Sequence, residues 1–215
     1  MKKYVFIPIL ITIIGIVTLM DMNISAQEKN SVIHKYDNIL FLGDSITEWY
    51  PIKDIYGDLP IVGSGKAGYE TKDLLDRMED MAYAYNPTKV ILLIGTNDLK
   101  YDEDDEEKVA ENIKEIIEKI KKNRPMAKIY YQSIYPVNRS LGATEERYND
   151  EIDEVNNIIK EYCQKNGVVY IDMNKELRND NGDFDKKYTK DGLHPNDLGY
   201  ARISQVLSKY IYELQ

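Results

Sequence analysis

Short, continuous apolar runs separated by stretches of helical periodicity dominate this 215-residue chain from residue 38 onward. A run that is apolar at every position suits a strand covered on both faces, as in parallel sheets. Strands that alternate with helices favour an α/β fold, in which helices cover both faces of an open, mostly parallel sheet. The predicted strands are 39–42, 60–62, 90–94, 129–134 and 168–171.

Apolar residues at helical spacing predict four helices between and after these strands. Thr71 is expected to cap the first of them, Pro125 to stop the second, and Gly167 to close the third in a C-cap position. The apolar stripes are Leu74, Leu75 and Met78; Val109, Ile113, Ile116, Ile117 and Ile120; Ile152, Val155, Ile159 and Tyr162; and Ile203, Val206, Leu207, Tyr210 and Ile211.

The N-terminus has the pattern of an export signal. A basic start, Lys2-Lys3, precedes an apolar stretch from Tyr4 to Met20, and the small residue Ala26 precedes the expected cleavage site. The apolar stretch is also close to the length of a membrane-spanning helix, so an uncleaved anchor remains an alternative.

We therefore divide the chain into a signal peptide or N-terminal anchor over 1–26, a short N-terminal segment over 27–37, and a single domain over 38–215. This division predicts a secreted or cell-envelope protein that meets a membrane only through an uncleaved N-terminal segment. The formal net charge of −9 argues against nucleic acid or an anionic lipid surface as the main partner.

The cysteine and histidine content limits the chemistry further. Cys163 is the only cysteine, so no intrachain disulfide can form, and its helical position suggests a small buried hydrophobe. The two histidines, His34 and His194, lie far apart in the sequence, and no metal-ligand spacing is present. We predict neither a metal nor another cofactor.

Polar motifs follow two of the predicted strands and precede the last helix. Gly43-Asp44-Ser45 follows the first strand, Gly95-Thr96-Asn97-Asp98 follows the third, and Asp191-Gly192-Leu193-His194 precedes the C-terminal stripe. Ligands bind open α/β sheets beyond the carboxyl ends of the strands, so these motifs are expected to share one edge. Gly65, after the weak second strand, belongs to the same edge.

The residue types in these motifs are those of nucleophilic catalysis. A serine hydroxyl needs a base within hydrogen-bond reach, and the base needs an acceptor that orients it. His194 can serve as the base of Ser45, and Asp191, three residues earlier, can hold its Nδ1. The backbone N–H groups of Ser45 and Gly65 and the side-chain amide of Asn97 are candidate donors to an oxyanion.

These motifs resemble the four sequence blocks of the SGNH (GDSL) hydrolases. They stand here as Gly43-Asp44-Ser45-Ile46-Thr47, Gly65, Gly95-Thr96-Asn97-Asp98 and Asp191-Gly192-Leu193-His194-Pro195-Asn196. The resemblance covers 38–215 and implies a flavodoxin-like three-layer α/β/α sandwich. It implies Ser45 as nucleophile, His194 as base, Asp191 as its orienter, an oxyanion hole from Ser45, Gly65 and Asn97, and no metal.

One position departs from the family pattern. The second block commonly has an asparagine two residues before its glycine, and Gly63 stands there instead. The loop is therefore expected to be more flexible and to lack one side-chain hydrogen bond, which weakens the preorganisation of Gly65.

The resemblance implies a serine esterase, and the sequence favours short-chain O-acetyl esters on carbohydrate as substrates. The segments beside the motifs are polar and charged, whereas an acyl tunnel needs apolar lining. A lysophospholipase or thioesterase of the same family is the main alternative, and a non-catalytic binding module on this fold is a remote one. Tyr69 and Tyr101 are expected to line the substrate pocket, Trp49 to be a packing residue, and Asp44 and Asp98 to be structural.

Overall fold

The described part of the chain contains one parallel five-stranded sheet with the strand order β2-β1-β3-β4-β5. The structure is a computed structural model and describes residues 38–100, 105–142 and 146–215. The segments predicted over 1–26 and 27–37, and Tyr101, lie outside the described residues. The strands are β1 (Ile39–Gly43), β2 (Ile61–Gly65), β3 (Lys89–Leu93), β4 (Lys128–Gln132) and β5 (Val169–Ile171).

All five predicted strands are confirmed, with ends that differ by at most three residues. The strand order is that of flavodoxin-like doubly wound sheets. In these sheets the order in which strands are added reverses between β1 and β3, which forms a crevice at that point. Every pairing in the described sheet is parallel, with Gly43 of β1 beside Gly65 of β2 and Leu93 of β3. The predicted ligand edge is therefore the carboxyl end of these three neighbouring strands.

The described residues form eight α-helices and four short 3-10 turns. The helices are α1 (Ser45–Glu48), α2 (Ile52–Tyr56), α3 (Thr71–Asp76), α4 (Met78–Met81), α5 (Glu106–Asn123), α6 (Asn149–Lys165), α7 (Met173–Leu177) and α8 (Asp197–Tyr210). The turns are Tyr83–Tyr85, Asp98–Lys100, Arg139–Leu141 and Tyr212–Leu214. No helix among the described residues is long and apolar enough to cross a membrane.

Each face of the sheet is covered by its own apolar cluster. Leu40 and Leu42 of β1 belong to a cluster with residues of α3, α5 and α6. Ile39 and Phe41 of the same strand belong to the opposite cluster, with residues of α7 and α8. Successive side chains of a strand point to opposite faces, so a strand buried on both faces must be apolar throughout. The three-layer α/β/α sandwich is confirmed.

Helix ends agree with the sequence predictions at two places out of three. Helix α5 ends at Asn123, ahead of Pro125, and Gly167 lies just beyond the C-cap of α6 with a φ of 67°, which favours glycine. Thr71 is not a cap: it is the first helical residue of α3, and Glu70 is the N-cap in a capping box with Asp73. The Thr71 hydroxyl donates to Asp98 instead.

Candidate active site

Ser45 lies where β1 passes directly into α1. The carboxylate of the preceding residue, Asp44, caps this short helix by accepting the backbone N–H of Ile46 at 2.9 Å. Ser45 is 5% exposed, so it is nearly buried at the carboxyl edge of the sheet. Tyr200 of α8 donates a hydrogen bond to the Ile46 carbonyl at 3.0 Å, which ties α1 to the helix that follows His194.

His194 is presented by a loop that its own hydrogen bonds hold closed. The Thr189 hydroxyl donates to the His194 carbonyl at 2.8 Å and accepts the N–H of Gly192 at 2.9 Å. The Gly192 carbonyl in turn accepts the N–H of Asn138 at 2.8 Å, which anchors the loop to the segment after β4. Asn196 then caps α8 by accepting the N–H of Gly199. This fixed loop sets the direction of the imidazole.

A continuous hydrogen-bonded chain joins the three predicted residues. Ser45 Oγ lies 3.1 Å from His194 Nε2, and His194 Nδ1 lies 2.8 Å from Asp191 Oδ2. The other carboxylate oxygen, Oδ1, accepts the N–H groups of Leu193 and His194 at 2.9 and 2.8 Å. With Nδ1–H held by the carboxylate, Nε2 is free of its proton and faces the serine hydroxyl as a base.

The surroundings of Asp191 keep it ionised. Burial raises the pKa of this carboxyl, but hydrogen bonds from the His194 side chain and from two backbone N–H groups outweigh burial, so its pKa lies below the usual value. An ionised Asp191 can stabilise the imidazolium that forms when His194 takes up a proton.

Gly65 lies at the end of β2, in close contact with the first turn of α1. A Cβ atom at this position would lie 2.2 Å from the Glu48 nitrogen and 2.6 Å from the Asp44 carbonyl oxygen, so only glycine fits. The following loop is held at two points: Lys66 N–H donates to the Gly43 carbonyl at 3.0 Å, and Ala67 N–H donates to Glu48 Oε2 at 2.7 Å. Gly63 itself is not in a loop, as the sequence analysis expected, but in β2, where it pairs with Phe41 of β1. Glu48 supplies a side-chain hydrogen bond to the loop that follows Gly65.

Asn97 follows β3 and points its amide along the same edge. Its Nδ2 donates to the Tyr69 carbonyl at 3.0 Å, and its Oδ1 accepts from Arg147 Nη2 at 2.9 Å. An amide nitrogen carries two hydrogens, so one remains for a further acceptor. The role of Asn97 as an oxyanion donor stays a prediction.

Most of the described domain, including the residues of this site, matches a known family. The model of the GDSL-like lipase/acylhydrolase family matches residues 41–202. The chain belongs to this family. Membership classes it with ester hydrolases, and it covers the strands and loops that carry Ser45, Gly65, Asn97, Asp191 and His194.

Solved structures of this family and fold are similar over most of the chain. A Streptococcus pneumoniae protein described as a platelet activating factor is 31% identical with a TM-score of 0.76, and the match covers 92% of this chain and 98% of that one. A GDSL-like lipase from Bacteroides thetaiotaomicron is 23% identical, with a TM-score of 0.72 and coverage of 88% and 96%. The acetyl xylan esterase AlAXEase is 24% identical, with a TM-score of 0.68 and coverage of 81% and 99%. The last two show the shared fold.

One curated relative is a longer protein. The N-acylneuraminate cytidylyltransferase of Escherichia coli O18:K1:H7 is 25% identical over 186 residues, which are 86% of this chain. The chain spans 43% of the length of that relative.

Arg147 is a residue of the site that sequence reasoning missed. It is 2% exposed, and besides Asn97 Oδ1 its Nε donates to the Thr96 carbonyl at 2.6 Å. Arg147 lies in the connection between β4 and α6, about 50 residues beyond Asn97 in sequence, and no family motif contains it. Nothing in the residues around Arg147 indicates that its side chain would contact the loop of Thr96 and Asn97.

Asp98 links the Asn97 loop to the start of α3. Its carboxylate accepts the Thr71 N–H at 3.0 and 3.1 Å and also the Thr71 hydroxyl. Asn112 of α5 donates to the Thr71 hydroxyl oxygen at 2.9 Å. Burial raises the pKa of Asp98 to about 6 despite the Thr71 hydrogen bonds that lower it. These contacts suit the structural role predicted for Asp98.

Asp44 is fully buried beneath the nucleophile. Burial raises the pKa of this carboxyl to about 7, the N–H of Ile46 lowers it, and the charge of Asp98 raises it further. Its second oxygen, Oδ2, has no hydrogen-bond partner among the described residues. Asp44 therefore acts as a helix cap, which suits the structural role that the sequence analysis expected, and it does so at an electrostatic cost.

The sequence analysis expected Trp49 to be a packing residue, but the structure exposes half of it to solvent. Its side chain is 52% exposed, and its ring centroid lies 4.5 Å from that of His194. Tyr69, a predicted pocket residue, is half-buried and packs against the core cluster, and what it offers the site is the carbonyl that Asn97 meets. Tyr101, the other predicted pocket residue, lies outside the described residues.

Proposed function

We propose that this protein is a serine esterase that works through an acyl-enzyme on Ser45. The observation that carries the proposal is the unbroken hydrogen-bonded chain from Ser45 Oγ through His194 to Asp191. A chain of this kind activates a hydroxyl that is otherwise a poor nucleophile at neutral pH.

In the acylation step, Ser45 Oγ attacks the ester carbonyl carbon and its proton passes to His194 Nε2. The carbonyl oxygen becomes an oxyanion, and we propose the N–H groups of Ser45 and Gly65 and the Asn97 amide as the donors that stabilise it. His194 then gives its proton to the oxygen of the leaving alcohol as the carbon–oxygen bond breaks. The alcohol departs, and the acyl group remains on Ser45.

Deacylation repeats the sequence with water. His194 takes a proton from a water molecule, whose oxygen attacks the acyl carbon to form a second oxyanion in the same site. The bond to Ser45 Oγ breaks, His194 returns the proton to that oxygen, and the carboxylic acid leaves. Asp191 stays ionised throughout and stabilises each imidazolium.

We further propose short-chain O-acetyl esters on carbohydrate as the substrates. The described surface beside the site is polar: Lys66 and Glu48 form an exposed ion pair at 3.7 Å, one turn from Ser45. Sugar hydroxyls can hydrogen-bond to these charges, whereas an apolar substrate group packed against them would desolvate them. As a fold-level analogy, one neighbour of this fold is an acetyl xylan esterase.

The test is the steady-state hydrolysis of p-nitrophenyl acetate, butyrate, octanoate and palmitate, with acetylated xylan and lysophosphatidylcholine alongside. We expect kcat/KM to be highest for acetate, with acetate released from the polysaccharide. Because each buried methylene adds up to ~0.8 kcal/mol of binding, an acyl tunnel would instead raise kcat/KM steeply with chain length. A maximum at octanoate or longer, or release of fatty acid from the lysolipid, would overturn the substrate class and favour the lysophospholipase alternative.

The Ser45→Ala variant is the matched control for every substrate in the panel. It should lower kcat by ~10⁴-fold or more, since members of a triad act as a unit. If a purified Ser45→Ala variant kept a tenth of the wild-type activity, the assignment of the nucleophile would be wrong.

A further inference from the structure

The only tryptophan of the chain stands exposed beside the catalytic base. Trp49 is the C-cap residue of α1, and its ring lies against the His194 ring at an interplanar angle of 50°. Half of the side chain faces solvent. A large aromatic surface left open at the edge of a reaction centre, with one side fixed by packing, is suited to contact a ligand.

The direction of proton transfer identifies which part of the ester meets this ring. His194 Nε2 must reach the oxygen of the leaving alcohol, so the alcohol lies on the His194 side of Ser45 when the tetrahedral intermediate breaks down. In the proposed mechanism the carbonyl oxygen points instead towards Gly65 and Asn97, the proposed oxyanion donors. Trp49 touches His194 and therefore borders the alcohol part of the substrate.

We propose that Trp49 is the platform of a sugar-binding subsite for the alcohol part of the ester. This inference rests on the proposed esterase function and deepens it. The carbon-bound hydrogens on one face of a pyranose ring carry partial positive charge and pack on the electron-rich face of an indole. Glu48, the residue before Trp49 in sequence, forms an exposed ion pair with Lys66. These two charged side chains are potential hydrogen-bond partners for the hydroxyls of a bound sugar.

The first experiment compares two acetyl esters that differ only in the alcohol. Acetylated xylotriose and ethyl acetate give the same acetyl-enzyme, so the ratio of their kcat/KM values isolates recognition of the alcohol during acylation. We expect Trp49→Ala to lower this ratio by about tenfold and Trp49→Phe, which keeps an aromatic face, to restore most of it. Trp49→Leu, apolar but not aromatic, should behave like the alanine variant.

Tyr212→Ala is the matched surface control. Tyr212 is another exposed aromatic residue, and its neighbour Glu213 pairs with Lys89 at the start of β3, on the edge of the sheet opposite to Ser45. This variant should leave the ratio unchanged. An equal loss on both esters in Trp49→Ala would show that Trp49 acts only through the position of His194 and would overturn the subsite. An unchanged ratio would also overturn it.

The second experiment reads the subsite without turnover. Because Trp49 is the only tryptophan, the tryptophan fluorescence of the whole protein reports on this ring. Titration with deacetylated xylotriose should give a saturable change in intensity or wavelength, and octanoate should give none. No response to xylotriose, or a response to octanoate instead, would contradict the sugar subsite.

These outcomes separate the subsite from the esterase itself. If the wild type hydrolyses ethyl acetate and loses this activity on Ser45→Ala, the esterase function stands whatever Trp49 does. If the wild type hydrolyses no ester, the proposed function fails, and the fluorescence titration still decides whether Trp49 binds sugar.

Discussion

At the scale of single residues, the Asn97 amide joins the loop after β3 to two other parts of the domain. Its Nδ2 meets the Tyr69 carbonyl and its Oδ1 meets Arg147. If its remaining hydrogen stabilises the oxyanion, Asn97→Ala should lower kcat by ~10²–10³-fold and leave KM nearly unchanged. Steady-state kinetics on p-nitrophenyl acetate checks this. An unchanged kcat with a raised KM would show that Asn97 only binds substrate.

Arg147 should act through Asn97. A guanidinium only donates hydrogen bonds, so Arg147 orients Oδ1 of Asn97 towards itself and Nδ2 towards the Tyr69 carbonyl. We expect Arg147→Met to lower kcat by about tenfold or more in the wild-type background, but by less than about twofold in the Asn97→Ala background. The measurement is a double-mutant cycle, made well below the unfolding temperature of each variant. Additive losses would mean that Arg147 has only a structural role.

Motifs allow candidate site residues to be predicted from the sequence. Four short blocks indicate Ser45, His194, Asp191, Gly65 and Asn97, and the structure joins the first three by hydrogen bonds. The catalytic roles of all five stay predictions. Arg147 could not be named, because a single arginine in a connecting loop has no pattern until the fold brings it to Thr96. The exposure of Trp49 was missed because one aromatic residue near a motif fits packing and binding equally well.

At the scale of elements, the short helix α1 carries a measurable electrostatic cost. Asp44 caps it, and burial raises the pKa of this carboxyl from 3.8 to about 7. Because the folded-state pKa is raised, the folded protein binds this proton more tightly than the unfolded chain. The resulting contribution to stability is fully present below pH 3.8 and is lost as the pH rises through 7. Relative to Asp44→Asn, which keeps an acceptor for Ile46, the wild type should therefore lose free energy of unfolding between pH 4 and 7.

Urea unfolding of both proteins across pH 4–8 measures this difference. The relative loss should be no more than ~4 kcal/mol, at 1.36 kcal/mol per pKa unit. Carboxyls that do not interact with Asp44 titrate in both proteins and cancel, whereas the coupling between Asp44 and Asp98 is part of the measured difference. A wild-type-minus-variant difference that stays flat from pH 4 to 8 would contradict the assignment of a raised pKa to Asp44.

Strands and long helices could be predicted because burial on both faces or on one stripe leaves a periodic pattern. The N-cap of α3 could not be predicted in this way, because Thr71 can hydrogen-bond to Asp98 only after β3 and α3 have come together. The ends of the strands shifted by a few residues for a similar reason. Pairing with neighbouring strands, rather than local composition, decides where a strand stops, and Ser64 and Gly65 are in β2 because they lie beside Leu42 and Gly43.

At the scale of the whole molecule, the sheet order and the family match over residues 41–202 agree on a hydrolase domain. The N-terminal pattern leads us to propose that this domain is exported. N-terminal sequencing of protein isolated from the medium or the cell envelope should start near Gln27. Full-length protein in the membrane would favour the anchor alternative, and full-length protein free in the cytosol would contradict export.

The central claim is that Ser45 is a nucleophile activated by His194, and covalent labelling tests it most directly. A fluorophosphonate reacts with an activated serine hydroxyl and leaves a stable adduct. We predict one label per chain, located by mass spectrometry on the peptide that contains Ser45. His194→Ala should slow labelling by orders of magnitude, and Ser45→Ala should abolish it. A wild-type protein that takes no label, or takes it on another residue, would contradict the account.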